Sequence, residues 1–347
     1  MKKVFLVQDE FLQGIASIRD SIFKIVEDGA LAALLATSSL SRNIRRWRQQ
    51  TSCALPIPSA RFGFDIPLEY SKLESGDTFL QYDSGVEDEE RILIFASSTG
   101  LDDLVKYSNW AGDGTFKVCP SIYYQLYTIH IQIGQFSVPR VFALLPDKKE
   151  ATYDRLFSPL NTLRPEIHPE LYMIDFEKAA INSLTSKFPD LNVCSCLFHC
   201  SQNLYRKIVE LGFKVQYNTD EEFCLKIKCF TALAFLPVAD VIDAYEELAD
   251  DDSLPQEFVS YFEVTYIGPK RGRGSRRHRL SPLFSIDVWN VSERILAGMT
   301  RTNNSLEGCH NAIQNSIACH HPNIWKLISA LKLEAILAQK KIDFDRE

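Results

Sequence analysis

Three consecutive segments after residue 108 carry the alternating apolar pattern of β-strands. We predict a first strand from Trp110 to Phe116, a second from Tyr123 to Ile133 and a third from Val138 to Leu145. In the second segment, Tyr127 and every second residue to Ile133 are apolar or aromatic and share one face, as in a strand with one buried side. The pattern therefore begins this region with three strands and no intervening helix.

Helical and strand patterns then alternate. The predicted elements are a helix from Ala151 to Arg164, a short apolar strand from Leu171 to Ile174, a helix from Lys178 to Phe188, a strand from Val193 to Leu197 and a helix from His199 to about Glu210. An unbroken apolar strand is typical of burial on both faces. The whole order predicts an α/β fold with the ribonuclease H-like arrangement, a mixed five-stranded sheet flanked by helices.

The remaining segments suggest how the chain is divided. We predict an N-terminal helical and basic region (1–60), a connector with one strand, Arg91–Ala96 (61–108), the first part of the core (109–212), an all-α insertion (213–295) and C-terminal helices that complete the core (296–347). The insertion lacks strand alternation and contains a glycine-containing basic segment, which is expected to be a loop.

Composition indicates a globular protein with local basic patches. The chain has 347 residues, is 46% hydrophobic and has a formal net charge of −7, which argues against uniform coating of nucleic acid. Patches of positive charge can still neutralise phosphates. The candidate DNA-binding residues are Arg45, Arg46, Arg48, Lys270, Arg271, Arg273, Arg276, Arg277 and Arg279. For the segment 270–279 the alternative is a disordered, solvated or nuclear-import segment, and for the arginines that flank Trp47 it is an ordinary helix surface.

Cysteine usage and hydropathy bear on the compartment. Nine cysteines do not form the pattern of a small disulfide framework, and neither a signal peptide nor a stretch of ~18 apolar residues is apparent. Reduced thiols are typical of cytosol or nucleus, and we expect the nucleus, with no membrane association.

Three carboxylates lie where such a fold can bring them together. Asp113 stands between Gly112 and Gly114, whose lack of side chains would let the backbone approach a ligand closely. Asp175 ends the fourth strand, where ligands of open α/β sheets bind, and Glu307 lies on a polar stripe of a predicted helix. Singly, they are typical of a turn residue, a helix cap and a solvated helix residue. Together, they predict a site for divalent metal.

Carboxylate oxygens are ligands that suit Mg²⁺ or Mn²⁺. Two such ions about 3.5–4 Å apart activate the attacking water or hydroxyl and stabilise the leaving oxygen of a phosphodiester. We expect Asp113, from its position in the fold, to bridge the two ions. On the segment that contains Glu307, the polar residues expected near the site are Asn303, Asn304 and His310.

The segment 193–200 offers a competing metal site. Cys194, Cys196, His199 and Cys200 have the residue types that ligate Zn²⁺, although the chain has no Cys-x-x-Cys pair. Strand alternation places Cys194 and Cys196 on one face, where thiols also serve as small hydrophobic residues. A third interpretation places Cys196 and His199 beside the carboxylates.

Four short motifs, in this order, resemble the transposases of Mutator-like elements. They are Asp-Gly-Thr-Phe at 113–116, Asp-x-Glu with an alanine-rich helix start at 175–180, Cys-x-x-His at 196–199 and Arg-Thr-Asn-Asn-x-x-Glu at 301–307. The resemblance covers about residues 85–320. It implies that Asp113, Asp175 and Glu307 are the catalytic, metal-binding triad, with Glu293 and Glu334 as substitutes for the third acid. It also implies that Cys196 and His199 help to position a DNA strand.

The resemblance further implies a DNA transposase. Such an enzyme hydrolyses phosphodiesters at transposon ends and joins the freed 3′-hydroxyl to target DNA, with two Mg²⁺ ions as cofactors, double-stranded DNA as partner and a homodimer by analogy. The zinc-binding modules that family members often carry have no matching spacing here. A domesticated DNA- or protein-binding factor without catalysis is therefore the alternative hypothesis, and a zinc-stabilised interaction domain is the third.

Overall fold

Seven strands of the chain form one mixed sheet in the computed structural model, which describes residues 55–134, 136–272, 278–299, 302 and 304–345. In chain order they are β1 (Leu80–Asp83), β2 (Leu93–Phe95), β3 (Asn109–Thr115), β4 (Gln125–Ile133), β5 (Phe136–Leu145), β6 (Leu171–Ile174) and β7 (Asn192–Ser195). Their spatial order is β1-β2-β5-β4-β3-β6-β7. The predicted α/β class with a mixed sheet is confirmed, whereas the predicted number of five strands is not.

The sheet combines an antiparallel half with a parallel half. Strands β1, β2, β5, β4 and β3 pair antiparallel with their neighbours, and β6 and β7 then add parallel to β3. Short links suffice for the antiparallel strands, but each parallel strand needs a crossover, which the intervening helices supply. The carboxyl ends of β3 and β6 consequently lie at the same edge of the sheet, where Asp113 and Asp175 are placed.

Helices flank the sheet; some precede or connect its strands, and the others come after its last strand along the chain. The α-helices are α1 (Leu68–Ser71), α2 (Ser98–Lys106), α3 (Glu150–Leu163), α4 (Lys178–Lys187), α5 (Leu197–Glu210), α6 (Lys214–Thr219), α7 (Glu221–Ala232), α8 (Val241–Ala249), α9 (Gln256–Phe262), α10 (Ile286–Trp289), α11 (Ser292–Leu296), α12 (Asn304–Ile317) and α13 (Ile324–Asp345). A π-helical turn, Glu263–Ile267, continues α9, and 3₁₀ turns span Leu233–Phe235 and Val238–Asp240. Within the described residues, no helix is both long and apolar enough to cross a membrane.

Two segments differ from the sequence expectation. The connector before residue 109 holds β1 and α2 in addition to the predicted strand, and Ser97 caps α2 by accepting a hydrogen bond from the amide of Gly100. The expected all-α insertion includes a two-stranded antiparallel ribbon, β8 (Lys270–Arg271) and β9 (His278–Arg279). The ribbon pairs the two ends of the basic segment that we expected to be a loop throughout.

The core lies on both faces of the central strands. Trp110, Ile129 and Tyr172 are fully or almost fully buried, which agrees with the apolar pattern of β3, β4 and β6. The helix α13 packs on β5, where the buried Arg140 forms an ion pair with Asp103 at 3.1 Å and contacts residues of that helix. The described residues from Ile57 onward form one compact unit. Residues 1–54 of the predicted helical and basic region, which include Arg45, Arg46 and Arg48, lie outside the described residues.

Candidate active site

Asp113 lies within β3 and does not form a turn. It pairs with Thr128 of β4, and its Oδ1 accepts a hydrogen bond from the amide of Gly114 at 2.7 Å. Burial raises the pKa of Asp113, and the negative charge of Asp175 raises it further, to about 7. The two carboxylates therefore lie close enough to disfavour the simultaneous ionisation of both.

The two glycines that flank Asp113 serve packing. A Cβ on Gly112 would lie 2.1 Å from the hydroxyl of Tyr172 and 2.6 Å from that of Tyr127, and one on Gly114 would lie 2.1 Å from Oε1 of Gln125. Buried aromatic and amide side chains thus fill the space beside the strand. Within the described structure, this crowding accounts for both glycines more directly than the close approach to a ligand that the sequence suggested.

Asp175 and Glu307 meet the same imidazole ring. Asp175 follows β6, and its Oδ1 lies 2.7 Å from Nδ1 of His199, near the start of α5. Nε2 of His199 lies 3.7 Å from Oε1 of Glu307 on α12. Burial opposes a charge on this ring, but contacts with Asp175 and Cys196 outweigh it and raise the pKa of His199 to about 10. At neutral pH, the imidazolium therefore stands between two carboxylates.

The structure also bears on the interpretation of Asp175 as a helix cap. Glu177, and not Asp175, occupies the N-cap position of α4, without a side-chain capping bond. The carboxylate of Glu177 accepts hydrogen bonds from Lys148 at 2.8 Å and from the hydroxyl of Tyr153 at 2.5 Å. Lys148 also favours the ionised form of Asp113 and thus lowers its pKa. These contacts make Glu177 a partner of Lys148 at the border of the site.

A second histidine joins the site from α12. Nδ1 of His310 lies 3.5 Å from Oδ2 of Asp113, and its Nε2 lies 2.9 Å from Oγ1 of Thr128. That hydroxyl also contacts Nε2 of the buried His130 at 3.0 Å. Burial lowers the pKa of His310 to about 4, so the ring is neutral at physiological pH. His310 therefore contributes a dipole, not a charge, to the surroundings of Asp113.

The remaining predicted residues fall into three groups. Asn303 lies outside the described residues, and Asn304 begins α12. Glu334, a substitute candidate, accepts a weak contact from the thiol of Cys309 at 3.7 Å, and Glu293 lies on α11. On α12, Leu306 is buried, whereas the adjacent Glu307 is only partly buried. The structure thus brings Asp113, Asp175, His199, His310 and Glu307 together.

The cysteines near His199 are buried thiols. Cys194 lies on β7 and Cys200 on α5, and burial raises their pKa to about 11 and about 12, respectively. A raised thiol pKa disfavours the thiolate that Zn²⁺ requires. Throughout the described part of the chain, cysteines are free, and no group of three or more His, Cys, Asp or Glu side chains is preassembled as a metal site.

The basic segment is divided by the ribbon. Arg279 donates hydrogen bonds to Glu263 at 2.9 Å and to Glu246 at 2.7 Å, and Lys270 contacts Glu246 at 2.7 Å. These ion pairs hold both side chains against the helical insertion. Arg271 is exposed, while Arg273, Arg276 and Arg277 lie outside the described residues. The carboxylates that Lys270 and Arg279 contact in these ion pairs therefore belong to Glu246 and Glu263 of the insertion.

The carboxylates are of the donor type that suits a divalent cation, although the described residues form no preassembled group of three ligands. Asp113 and Asp175 are negative groups that repel each other, Glu307 shares a neighbour with Asp175, and their oxygens are the ligand type that Mg²⁺ and Mn²⁺ prefer. His199 supplies the positive charge between two of them in this structure. The arrangement therefore has an excess of negative charge of the kind that a bound cation neutralises.

Comparison with known families places these observations in context. Residues 109–203 match the MULE transposase domain. This match confirms the resemblance to transposases of Mutator-like elements over a stretch that includes Asp113, Asp175, Cys196 and His199. Glu307 lies beyond the matched part of the MULE transposase domain. A search of curated proteins found no match.

Some residues around the candidate acids escaped sequence reasoning. Thr128 and His130 belong to a strand whose alternation indicated burial only, and Lys148 follows a strand without a recognisable motif. The available signal was a polar residue within or directly after an apolar run. Such a residue indicates a polar contact inside the fold, because a buried polar group needs a hydrogen-bond partner. The partner His310 is 182 residues away from Thr128, too far for a local pattern to reveal.

Proposed function

We propose that this chain is the catalytic part of a DNA transposase that hydrolyses phosphodiesters at transposon ends and transfers the strand to target DNA. The proposal combines the match to the MULE transposase domain with the convergence of three acids. The observation that carries it is the placement of Asp113 on β3 and of Asp175 after the parallel neighbour β6, at one edge of the sheet, where burial and the charge of Asp175 raise the pKa of Asp113 to about 7. Carboxylates held in this way occur at sites that bind cations or move protons.

The sheet order supports a ribonuclease H-like core. The contiguous strands β5-β4-β3-β6-β7 comprise three antiparallel strands followed by two parallel ones, as the arrangement requires. In this interpretation, β1 and β2 extend the antiparallel edge of the core. The first two acids lie at the carboxyl ends of adjacent strands, and the third comes from a helix that follows the insertion.

In the proposed site, Asp113, Asp175 and Glu307 would hold the Mg²⁺ or Mn²⁺ ions. When bound, two such ions supply Lewis acidity for activation of the nucleophile and stabilisation of the leaving oxygen. His199 orients Asp175 and Glu307 through its two ring nitrogens. The amide of Gly114 and the ring of His310 fix the carboxylate of Asp113 from two sides. These contacts orient the individual carboxylates, which limits their reorientation during the reaction.

The test is metal-dependent nicking of a supercoiled plasmid, which requires no knowledge of the transposon ends. We expect the full chain to produce nicks with Mg²⁺ or Mn²⁺ and none with chelator. Asp113→Asn and Asp175→Asn should each abolish nicking. Asp190→Asn is the matched control, because the exposed Asp190 lies before β7, at the opposite end of the sheet. Thermal melting should establish that each variant remains folded.

The outcomes separate the two functional hypotheses. Nicking that persists unchanged in Asp113→Asn or Asp175→Asn rejects the assigned acids. Absence of nicking by the wild-type chain with both metals, together with retained DNA binding, favours a domesticated factor without catalysis. Joining of a labelled DNA 3′-end to the plasmid tests strand transfer separately. For the proposed homodimer, the mass of the complex in solution is the direct measurement.

A further inference from the structure

Two exposed aromatic rings stand beside the candidate active site. Phe116 directly follows β3, three residues after Asp113, and is 41% exposed; Tyr124 directly precedes β4 and is 52% exposed. Their ring centroids lie 5.5 Å apart at an interplanar angle of 79°. Nζ of Lys148 lies 5.0 Å from the centroid of the Phe116 ring. We call Phe116, Tyr124 and Lys148 the aromatic platform.

The aromatic platform is held by backbone contacts on both sides. The amide of Tyr124 donates to the carbonyl of Leu145 at 2.9 Å. The loop after Phe116 is fixed from the C-terminal part of the chain, because the amide of His321 donates to the carbonyl of Lys117 at 2.9 Å. Nδ1 of the same histidine lies 3.0 Å from the carbonyl of Cys119, to which it donates. The rings are therefore presented by a fixed loop, which lowers the entropic cost of binding.

The charge around the aromatic platform favours an anionic ligand that has a flat apolar part. Lys148 is 36% exposed and belongs to the border of the candidate active site through its ion pair with Glu177 at 2.8 Å. The neighbouring Lys117 is exposed as well. Nucleic acids combine phosphates with bases that stack on aromatic side chains, and a base shows its faces only when it is unpaired or at a duplex end.

The two rings differ in the face that they offer. Lys148 already covers one face of Phe116, and Tyr124 is the more exposed ring. Tyr124 consequently has the larger free face, and Phe116 supports it in an edge-to-face contact, which is a favourable arrangement for two rings. A nucleotide stacked on Tyr124 would place its phosphate within the neighbourhood of Lys148, which contacts Phe116 and pairs with Glu177 at the border of the candidate active site.

We propose that the aromatic platform binds an unpaired nucleotide of the DNA strand next to the scissile phosphodiester, with its base stacked on Tyr124 and its phosphate near Lys148. The inference rests on the proposed function, since it assigns the platform to the same DNA. It adds a binding subsite for unpaired DNA to the acids. This subsite recognises the face of a base without reading its edge, so it accepts every base.

The test measures binding of a short single-stranded oligonucleotide that contains 2-aminopurine, whose fluorescence falls when it stacks on an aromatic ring. The full chain is titrated in chelator, so that no step depends on metal. We expect quenching with wild type and a dissociation constant about 5- to 140-fold larger for Tyr124→Ala, the range reported for loss of one stacked base. Tyr124→Phe should bind like wild type, because it keeps the ring.

The chain contains a matched control at the opposite end of the sheet. Phe136, at the start of β5, is 50% exposed and has Nζ of Lys341 at 4.9 Å from its ring centroid. It reproduces the composition of an exposed ring beside a lysine, away from the acids. Phe136→Ala should leave both the dissociation constant and the quenching unchanged. Lys148→Gln should weaken binding and reduce its dependence on salt, as expected when a phosphate contact is lost.

The results distinguish this inference from the proposed function. The proposed role of the aromatic platform is overturned if wild type and Tyr124→Ala bind the oligonucleotide with equal affinity. It is also overturned if Phe136→Ala loses as much affinity as Tyr124→Ala. Retained binding without quenching overturns the stacked geometry. If the platform fails while Asp113→Asn still abolishes nicking, the nuclease assignment stands alone. If stacking is observed and no metal supports nicking, the chain binds unpaired DNA and the catalytic proposal is rejected.

Discussion

Asp113→Asn should stabilise the metal-free protein at neutral pH although it removes a proposed catalytic residue. The pKa of Asp113 rises from an ordinary 3.8 to about 7 on folding, because the carboxylate is buried and faces the charge of Asp175. Asparagine has nearly the same shape and carries no charge. The substitution therefore removes a repulsion that the folded chain bears whenever Asp113 is ionised.

The sign follows from proton binding. Between pH 4 and 7, the folded chain retains a proton on Asp113 that the unfolded chain has released, so this group lowers the free energy of unfolding as the pH rises. The shift corresponds to about 4 kcal/mol above pH 7 if the unfolded pKa is ordinary. Because the side chain is still 17% exposed, we expect the variant to gain about 2–4 kcal/mol at pH 8.

Urea denaturation in chelator at pH 5, 6, 7 and 8 measures this difference. The gain of Asp113→Asn over wild type should be smallest at pH 5 and should approach its plateau near pH 8. Asp190→Asn should run parallel to wild type. A stability difference that is independent of pH, or that decreases as the pH rises, would refute the assigned pKa and with it the close approach of Asp113 and Asp175. Mg²⁺ should recover stability in wild type more than in Asp113→Asn.

Two further predictions concern packing. Gly112→Ala should lower the free energy of unfolding by about 1–3 kcal/mol, since its Cβ would meet the buried hydroxyls of Tyr172 and Tyr127; urea denaturation measures the loss, and full stability would contradict the crowding. Arg140→Ala should cost about 3–5 kcal/mol because it leaves the buried Asp103 without its ion-pair partner. Thermal melting should show a smaller loss of stability for Arg155→Ala, because the ion pair of Arg155 with Asp88 is more exposed. Equal losses of stability in the two variants would contradict this reasoning.

The pattern of apolar and polar residues was sufficient to predict the secondary-structure elements that have strong periodicity. The predicted segments of β3 to β7 overlap the observed strands, because apolar alternation and unbroken apolar runs reflect burial on one or both faces. The strand β1 escaped prediction, since all four of its residues are only partly buried and its pattern is correspondingly weak. Helix α2 follows a capping serine and buries Leu101 and Leu104, a signal that was present but overlooked.

Long-range pairing set the limit for the site. Motifs indicated Asp113, Asp175 and Glu307, yet no local pattern shows that His199 lies between the last two or that His310 reaches Thr128. The same limit applies to Arg279, whose place in a basic segment suggested a phosphate contact. Its pairing with Glu246 and Glu263 depends on how the insertion folds, which charge composition alone does not encode.

The position of Glu307 on α12 affects when the proposed activity begins. Asp113 and Asp175 are both present once β3, β6 and the residue after β6 have been translated. Glu307 is added only after the entire insertion has been translated. A nascent polypeptide that has not reached residue 307 thus lacks one of the three carboxylates. A polypeptide that ends within the insertion also lacks α12 and α13, which pack on the central strands, so it acquires neither the third carboxylate of the proposed nuclease nor the full cover of its sheet.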